Sequence, residues 1–306
     1  MKKTKKVIRL NTIFRYILLL LALVIFAMIL RKNEEEKKQV DIQYPQAEIS
    51  ILPENIQQGD PVMITITSST TPISVSYDGI SKDTISYNNK PRVFTAIPLE
   101  ETDLDKVIKV IFSNGVILEK EIKILPRAKI EKPLGIPEQL GGNTKVAGKA
   151  LIDNLSKENN IINNIKTSST TQWSKSFVSP LKNLIVTDAY GYSRNTVGYN
   201  ITHKGTDFRA AVGAEVYAMN AGVVRVSRLF TVYGNTVVID HGNGLSTLYM
   251  HLSKLNVKEG DTVQAGQLIG LSGKTGYAEA AHLHVSIKID GVSIDPARFL
   301  GFFNVI

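Results

Sequence analysis

Apolar and polar positions along the chain fall into four regimes. Residues 13–30 read IFRYILLLLALVIFAMIL, an unbroken apolar run with Arg15 as its only charge. About 20 such residues cross a bilayer as a helix, and Arg15 can snorkel to the interface and lengthen the span. Residues 31–46 are charged and polar, as in a stalk. From 47 to 125 the pattern has period two: Ile49/Ile51, Val62/Ile64/Ile66, Ile73/Val75/Tyr77 and the stretch from Val107 to Phe112. This is the mark of half-buried strands. Gly59-Asp60, Asp78-Gly79 and Asn114-Gly115 punctuate them, and Asn114-Gly115 between IKVIFS and VILEKEIKIL predicts a hairpin. The segment therefore reads as a small antiparallel sandwich, Ig-like in the broad sense, without the Cys pair and Trp of a true Ig domain.

Residues 126–172 form a linker: Pro-rich turns, then Ala147, Leu151, Leu155, Ile161, Ile162 and Ile165 near helical spacing, then the loop TSSTTQ. The helix reads as a rigid spacer between domains, with a cover over a groove as the second reading. Residues 173–306 make a C-terminal β-rich domain. The fold class is thus mostly β, with a membrane helix, a sandwich, a helical linker and a second β domain.

Charge settles the orientation of the first run. Lys2, Lys3, Lys5, Lys6 and Arg9 precede it with no acid among them, whereas Glu34, Glu35 and Glu36 follow it. That places residues 1–12 in the cytoplasm and the rest outside. Around Ala27 the chain offers no pair of small residues for a signal peptidase, so 13–30 reads as an uncleaved signal anchor. The formal net charge of +8 is partly this local excess, and nucleic acid is not an expected partner. The chain has no cysteine, which removes disulfides, thiolate metal sites and thiol nucleophiles.

Chemistry concentrates in the last third. All five histidines lie between His203 and His284. His203 and Asp207 are four apart, with Gly205 arguing for a strand entering a turn rather than a helix. His282 and His284 precede VSIKI, a strand, so both project to one face while Leu283 and Val285 turn to the core. The same alternation in Tyr249-Met-His251 aims Tyr249 and His251 together. Imidazole and carboxylate ligands without thiols suit zinc. There is no H-E-x-x-H helix of the thermolysin kind. Asp240 and His241, in DHGNG, read as turn-capping and hydrogen-bonding residues.

His203-x3-Asp207, Tyr249-x-His251 and His282-x-His284, in this order, resemble the LytM/lysostaphin family of zinc metallopeptidases. So do the intervening GAEVYAMNAGVVRVS, YGNTVVIDHGNGLSTLYMHLS and VKEGDTVQAGQLIGLSGKTG, and the closing DGVSIDPARFL. The similarity covers roughly residues 177 to 301. It implies a compact antiparallel β structure with a groove over the metal. It implies His203, Asp207 and His284 as ligands of Zn2+, and His251 and His282 as the catalytic pair that moves protons and steadies the oxyanion. The implied activity is a membrane-anchored metalloendopeptidase, periplasmic or extracellular, cutting peptidoglycan stem peptides or cross-bridges. Envelope or cell-division proteins are the expected partners of the sandwich. Both glycyl–glycyl bridges and D-alanyl–diamino acid cross-links are family substrates. GYAEAAHLH departs from the Ser/Thr-Gly-Pro stretch of many relatives, and Tyr199 is the candidate for a tyrosine that some relatives place before the first ligand.

Three alternatives compete. A catalytically silent regulator of the same fold would have lost ligands that are present here. A biotinyl/lipoyl-type hammerhead resembles the two Gly-rich halves but needs a lysine at a hairpin tip, which is missing. A membrane-anchored adaptor would make the sandwich the working part.

Overall fold

The computed structural model describes residues 15, 17, 19–21, 23–28 and 47–303. The chain divides into two units, Met1–Gln46 and Ala47–Ile306. In the first, residues 23–28 are helical, with Leu23, Val24, Ile25, Phe26 and Met28 exposed. Seven of the eighteen positions of the expected membrane span at 13–30 lie outside the described residues, and among those described no helix is long and apolar enough to cross a membrane.

The second unit is mostly β. Two four-stranded antiparallel sheets form its N-terminal half. One runs in the order Glu48–Leu52, Pro61–Thr67, Lys90–Ala96, Ile85–Tyr87; the other Ile80–Lys82, Pro72–Tyr77, Asp105–Phe112, Ile117–Lys123. The period-two pattern does what such a pattern must. Ile108, Val110 and Phe112 are buried and Val107 faces out. Val62, Ile64, Ile66, Val75 and Val93 meet them in one core. The hairpin at Asn114-Gly115 pairs Ile111 with Ile117, and Gly115 takes the left-handed φ of +83° that this turn requires.

An eight-stranded antiparallel sheet dominates the C-terminal half. Its order is Val186–Asp188, Thr206–Arg209, His282–Ile289, Leu245–Leu252, Gly234–Gly242, Gly222–Phe230, Thr262–Val263, with Val292–Ile294 also paired to His282–Ile289. Leu283, Val285, Ile287 and Ile289 lie on its inner face with Tyr249, Val237 and Ile239.

The two halves share a core. Tyr87 and Ile85 of the sandwich join the cluster that holds Trp173, Phe177, Phe299 and Phe303. Trp173 meets Tyr87, Phe94 and Phe177 at ring-centroid distances of 5.4, 5.9 and 5.0 Å. Arg127 reinforces this by bridging Asp60 of the sandwich (2.7 Å) and Asp295 of the C-terminal half (2.9 Å). All three are largely withdrawn from solvent, so removing one partner would strand a buried charge.

The linker helix, Lys145–Asn163, starts at Thr144, whose hydroxyl caps the Ala147 amide. Its inward stripe is Ala147, Leu151, Leu155, Glu158 and Ile162, the i, i+4 and i, i+3 spacing of one helical face. Ile161, expected on that stripe, is exposed instead. Ile162 packs with Val226, Phe230, Val238, Leu248 and Met250, which lie on the outer face of the large sheet. The helix is therefore seated on the C-terminal half. Before it, Glu131–Pro133 pairs in parallel with Ser193–Thr196 and extends the hairpin formed with Tyr199–Thr202.

Candidate metal centre and groove

The sheet register creates the site. Asp207 on Thr206–Arg209 stands directly opposite His284 on His282–Ile289. His203 follows the strand Tyr199–Thr202, and Gly205 lets the chain turn back tightly, since a Cβ there would overlap the His284 ring and the Val285 carbonyl. His203 Nε2, Asp207 Oδ1 and His284 Nδ1 converge at separations of 3.1, 3.1 and 2.7 Å. All three residues are buried.

The protonation of these rings follows from what their other nitrogens touch. His203 Nδ1 lies 2.8 Å from the Ala189 carbonyl, which can only accept. That nitrogen carries the proton, so in the neutral ring Nε2 is bare. His284 Nε2 lies 2.9 Å from Ser286 Oγ, whose own proton goes to the Lys204 carbonyl. His284 Nε2 is thus the donor and Nδ1 is bare. Three lone pairs, two from nitrogen and one from a carboxylate, face a common point. Without a cation or an added proton they repel. Arg194 holds the other oxygen, Asp207 Oδ2, and also binds Asp188. Burial opposes the charge on Asp207, and the Arg194 guanidinium on Oδ2 favours it. Burial lowers His284 to about 4, so the ring is neutral near pH 7.

The same logic fixes two further rings. His251 Nδ1 donates to the Thr275 carbonyl (2.8 Å) and His282 Nδ1 to the Ala280 carbonyl (2.9 Å). Both Nε2 atoms are then bare. His282 Nε2 lies 3.6 Å from Asp207 Oδ1, and the His251 ring sits 4.8 Å from His282 and 6.0 Å from His284. Burial, followed by the neighbouring His282 and His284, lowers His251 to about 3.

One expectation fails. Tyr249 and His251 do not point together. Tyr249 is fully buried on the inner face, its hydroxyl accepting from the Met219 amide. His251 has a φ of +61°, and the pairing of Leu245–Leu252 with Gly234–Gly242 shifts register between Asn235 and Val237. An extra residue in one strand re-aims the side chain, and His251 turns to the outer face where His284 lies. Tyr199 is not in the site either; its ring packs against Gly148 of the linker helix. Asp240 and His241 act as expected, through hydrogen bonds: Asp240 accepts from Ser168, Gly242 and Arg225, and His241 bridges Ala221 and Thr247.

A cavity of about 640 Å³ runs over this centre. It is lined by Leu151, Leu155, Asn159 and Ile162 of the linker helix, by Tyr233 and Tyr277, and by Pro98–Glu100. Glu158, buried on the helix, accepts from the amides of Val232 (2.9 Å) and Tyr233 (3.1 Å). The spacing of residues gave no sign of Arg194, Glu158 or the carbonyls that set the tautomers. Ser286 was within reach, being two residues beyond His284 on the same strand face.

Residues 201–296 match the family model described as Peptidase family M23. The C-terminal domain is an M23 domain. Among curated proteins, the peptidoglycan DD-endopeptidase ShyA of Vibrio cholerae is 48% identical over 96 residues, 31% of this chain and 22% of that protein. Stage II sporulation protein Q of Bacillus subtilis is 37% identical over 132 residues, 40% of this chain and 47% of that protein. The chain thus spans about a quarter of ShyA and under half of protein Q. A solved structure of a putative peptidase M23 from Pseudomonas aeruginosa matches 82% of this chain and 96% of its own, with a TM-score of 0.58 and 22% identity. That likeness is one of fold, and it extends beyond the M23 domain.

Proposed function

We propose that the chain is a zinc metalloendopeptidase that hydrolyses peptide cross-links of bacterial peptidoglycan. The observation that carries this reading is the convergence of three lone pairs from His203, Asp207 and His284, with two more unprotonated nitrogens, of His251 and His282, beside them. The donor set fits zinc. Ligand atoms of a tetrahedral zinc with bonds near 2.0–2.1 Å lie roughly 3.3 Å apart, close to the separations seen. The name of ShyA supports the substrate class.

When bound, zinc would supply a Lewis acid for the scissile carbonyl and bring the pKa of a water to roughly 7. The chain's own residues do the rest. Arg194 keeps Asp207 ionised and turned so that Oδ1 faces the centre. His282 and His251, with bare Nε2 atoms, take the proton from the attacking water and return one to the leaving amine. Burial keeps His251 unprotonated at neutral pH. Leu151, Leu155 and Ile162 exclude bulk water from one side of the groove.

The apolar run at 13–30 would hold the domain at the outer side of the membrane, as a single-pass anchor. A silent regulator of the same fold is the competing reading, and the complete set of five residues weighs against it. The test is incubation of the full chain, with zinc, on purified sacculi of two chemically different peptidoglycans. Mass spectrometry should find new amine and carboxyl termini within cross-link peptides. Intact cross-links after incubation with a zinc-loaded, folded chain would overturn the peptidase reading.

A further inference from the structure

The strand His282–Ile289 carries more than the candidate centre. Its outward residues are His282, His284, Ser286 and Lys288, because Leu283, Val285, Ile287 and Ile289 occupy the core. Ser286 holds the His284 tautomer. Lys288 has no such task. It lies four residues beyond His284, roughly 13 Å along the strand, and lines the same cavity. Its ammonium donates to Asn163 Oδ1 on the linker helix. Lys204, on the same side of the cavity, leans toward Glu100 at 3.5 Å, an exposed pair. Among the described residues no carboxylate lies within 4.0 Å of the Lys288 ammonium. Burial, with Lys204 nearby, lowers it to about 8, the direction expected of a cation without a counter-charge.

An ammonium placed in a groove without an anion is an unusual use of a lysine stem. If it served only to tie the helix to the sheet, a neutral donor would do the same with less desolvation. We propose that Lys288 is a specificity-determining residue that binds a free carboxylate on the substrate peptide, roughly 13 Å from the scissile bond. This rests on the peptidase reading and deepens it: the preferred cross-links are those whose stem peptides carry an unamidated carboxyl group at that distance. An extended peptide advances about 3.3–3.6 Å per residue, so the carboxylate sits three to four residues, or an equivalent length of side chain, from the bond cut. On binding, the carboxylate replaces the Asn163 amide oxygen as the partner of Lys288.

The experiment uses the full zinc-loaded chain and two synthetic cross-linked peptides that differ only in carboxylate against carboxamide at this position. A charge-assisted hydrogen bond predicts a preference of about 10- to 100-fold in kcat/KM for the carboxylate. That preference should fall to about one in Lys288→Met and persist in Lys288→Arg. Lys288→Gln keeps a donor to Asn163, so it separates helix attachment from charge: it should lose the preference as Lys288→Met does. A wild-type ratio near one, or a preference that survives in Lys288→Met and Lys288→Gln, would overturn the proposal. Cleavage of neither peptide by the wild type would instead overturn the peptidase reading, and this one with it.

Discussion

Tyr249 and His251 are two residues apart in one strand and face opposite sides of the sheet, because His251 adopts a φ of +61° where the pairing shifts register. Strict alternation would have sent the imidazole into the core beside Tyr249. A non-glycine residue in that region costs roughly 1–2 kcal/mol. Strain of this kind persists where the surrounding structure holds it.

His251→Gly and His251→Ala should therefore differ in stability but not in activity. Both should retain zinc and lose about 10²- to 10⁴-fold in hydrolysis, the usual range for a proton-transfer group. The glycine variant should be the more stable by about 1 kcal/mol, read from urea denaturation. Equal stability of the two would refute the claim of backbone strain, and near-normal hydrolysis by either would remove His251 from the proton pathway.

The ligand assignment predicts a graded response in metal affinity. Asp207→Ala or His284→Ala should abolish stoichiometric zinc binding. Arg194→Gln and Ser286→Ala leave all three ligands in place but release Asp207 Oδ2 and the His284 tautomer. Loss of such supporting bonds typically weakens metal affinity 10- to 100-fold. Competition with a chromogenic chelator measures this without turnover. Wild-type affinity in Arg194→Gln would mean that the guanidinium does not orient Asp207.

Glu158 joins the linker helix to the turn that carries Val232 and Tyr233. Glu158→Ala would leave the buried Val232 amide without a partner, worth about 1–3 kcal/mol, and the half-buried Tyr233 amide with it. Hydrogen exchange across 145–163 should accelerate more than exchange in the strand Gly234–Gly242. Unchanged exchange in the helix would show that Ile162 and Leu151 hold it without this bond.

Acid should weaken the fold through His241. Burial lowers its folded pKa to about 4, below the unfolded value of roughly 6.5. The folded state thus prefers the neutral ring. The contribution is complete above about pH 6.5 and is lost as pH falls through about 4, on the order of 3 kcal/mol in all. His241→Gln should be less stable than wild type at pH 7.5 but lose less on going to pH 4.5. Urea midpoints at both pH values test this, and parallel losses in the two proteins would contradict it.

Much of the site could be read from residue order. Period two put His282 and His284 on one face, whereas Asp207 and His203 came in through the family resemblance, since the His203-x3-Asp207 spacing is weak by itself. The sandwich strands and the Asn114-Gly115 hairpin were equally legible, because local alternation and turn chemistry act over a few residues. What escaped was non-local or irregular. A register shift rotates His251 without any mark in Tyr249-Met-His251. Arg194 reaches Asp207 only because a hairpin folds back over it. The inward face of the linker helix carries Glu158, which looks like a solvent residue until Val232 and Tyr233 arrive. The joint between the halves depends on Tyr87, Phe94, Trp173 and Phe303, which are spread over more than half of the chain.

That joint has a practical corollary. Trp173 is the only tryptophan in the sequence, and it is almost fully enclosed by aromatic rings from both halves. Its emission is an intrinsic optical gauge of whether the sandwich and the M23 domain are docked. Separation of the two by ligand, force or denaturant would appear as a red shift, in the native chain and with no label added.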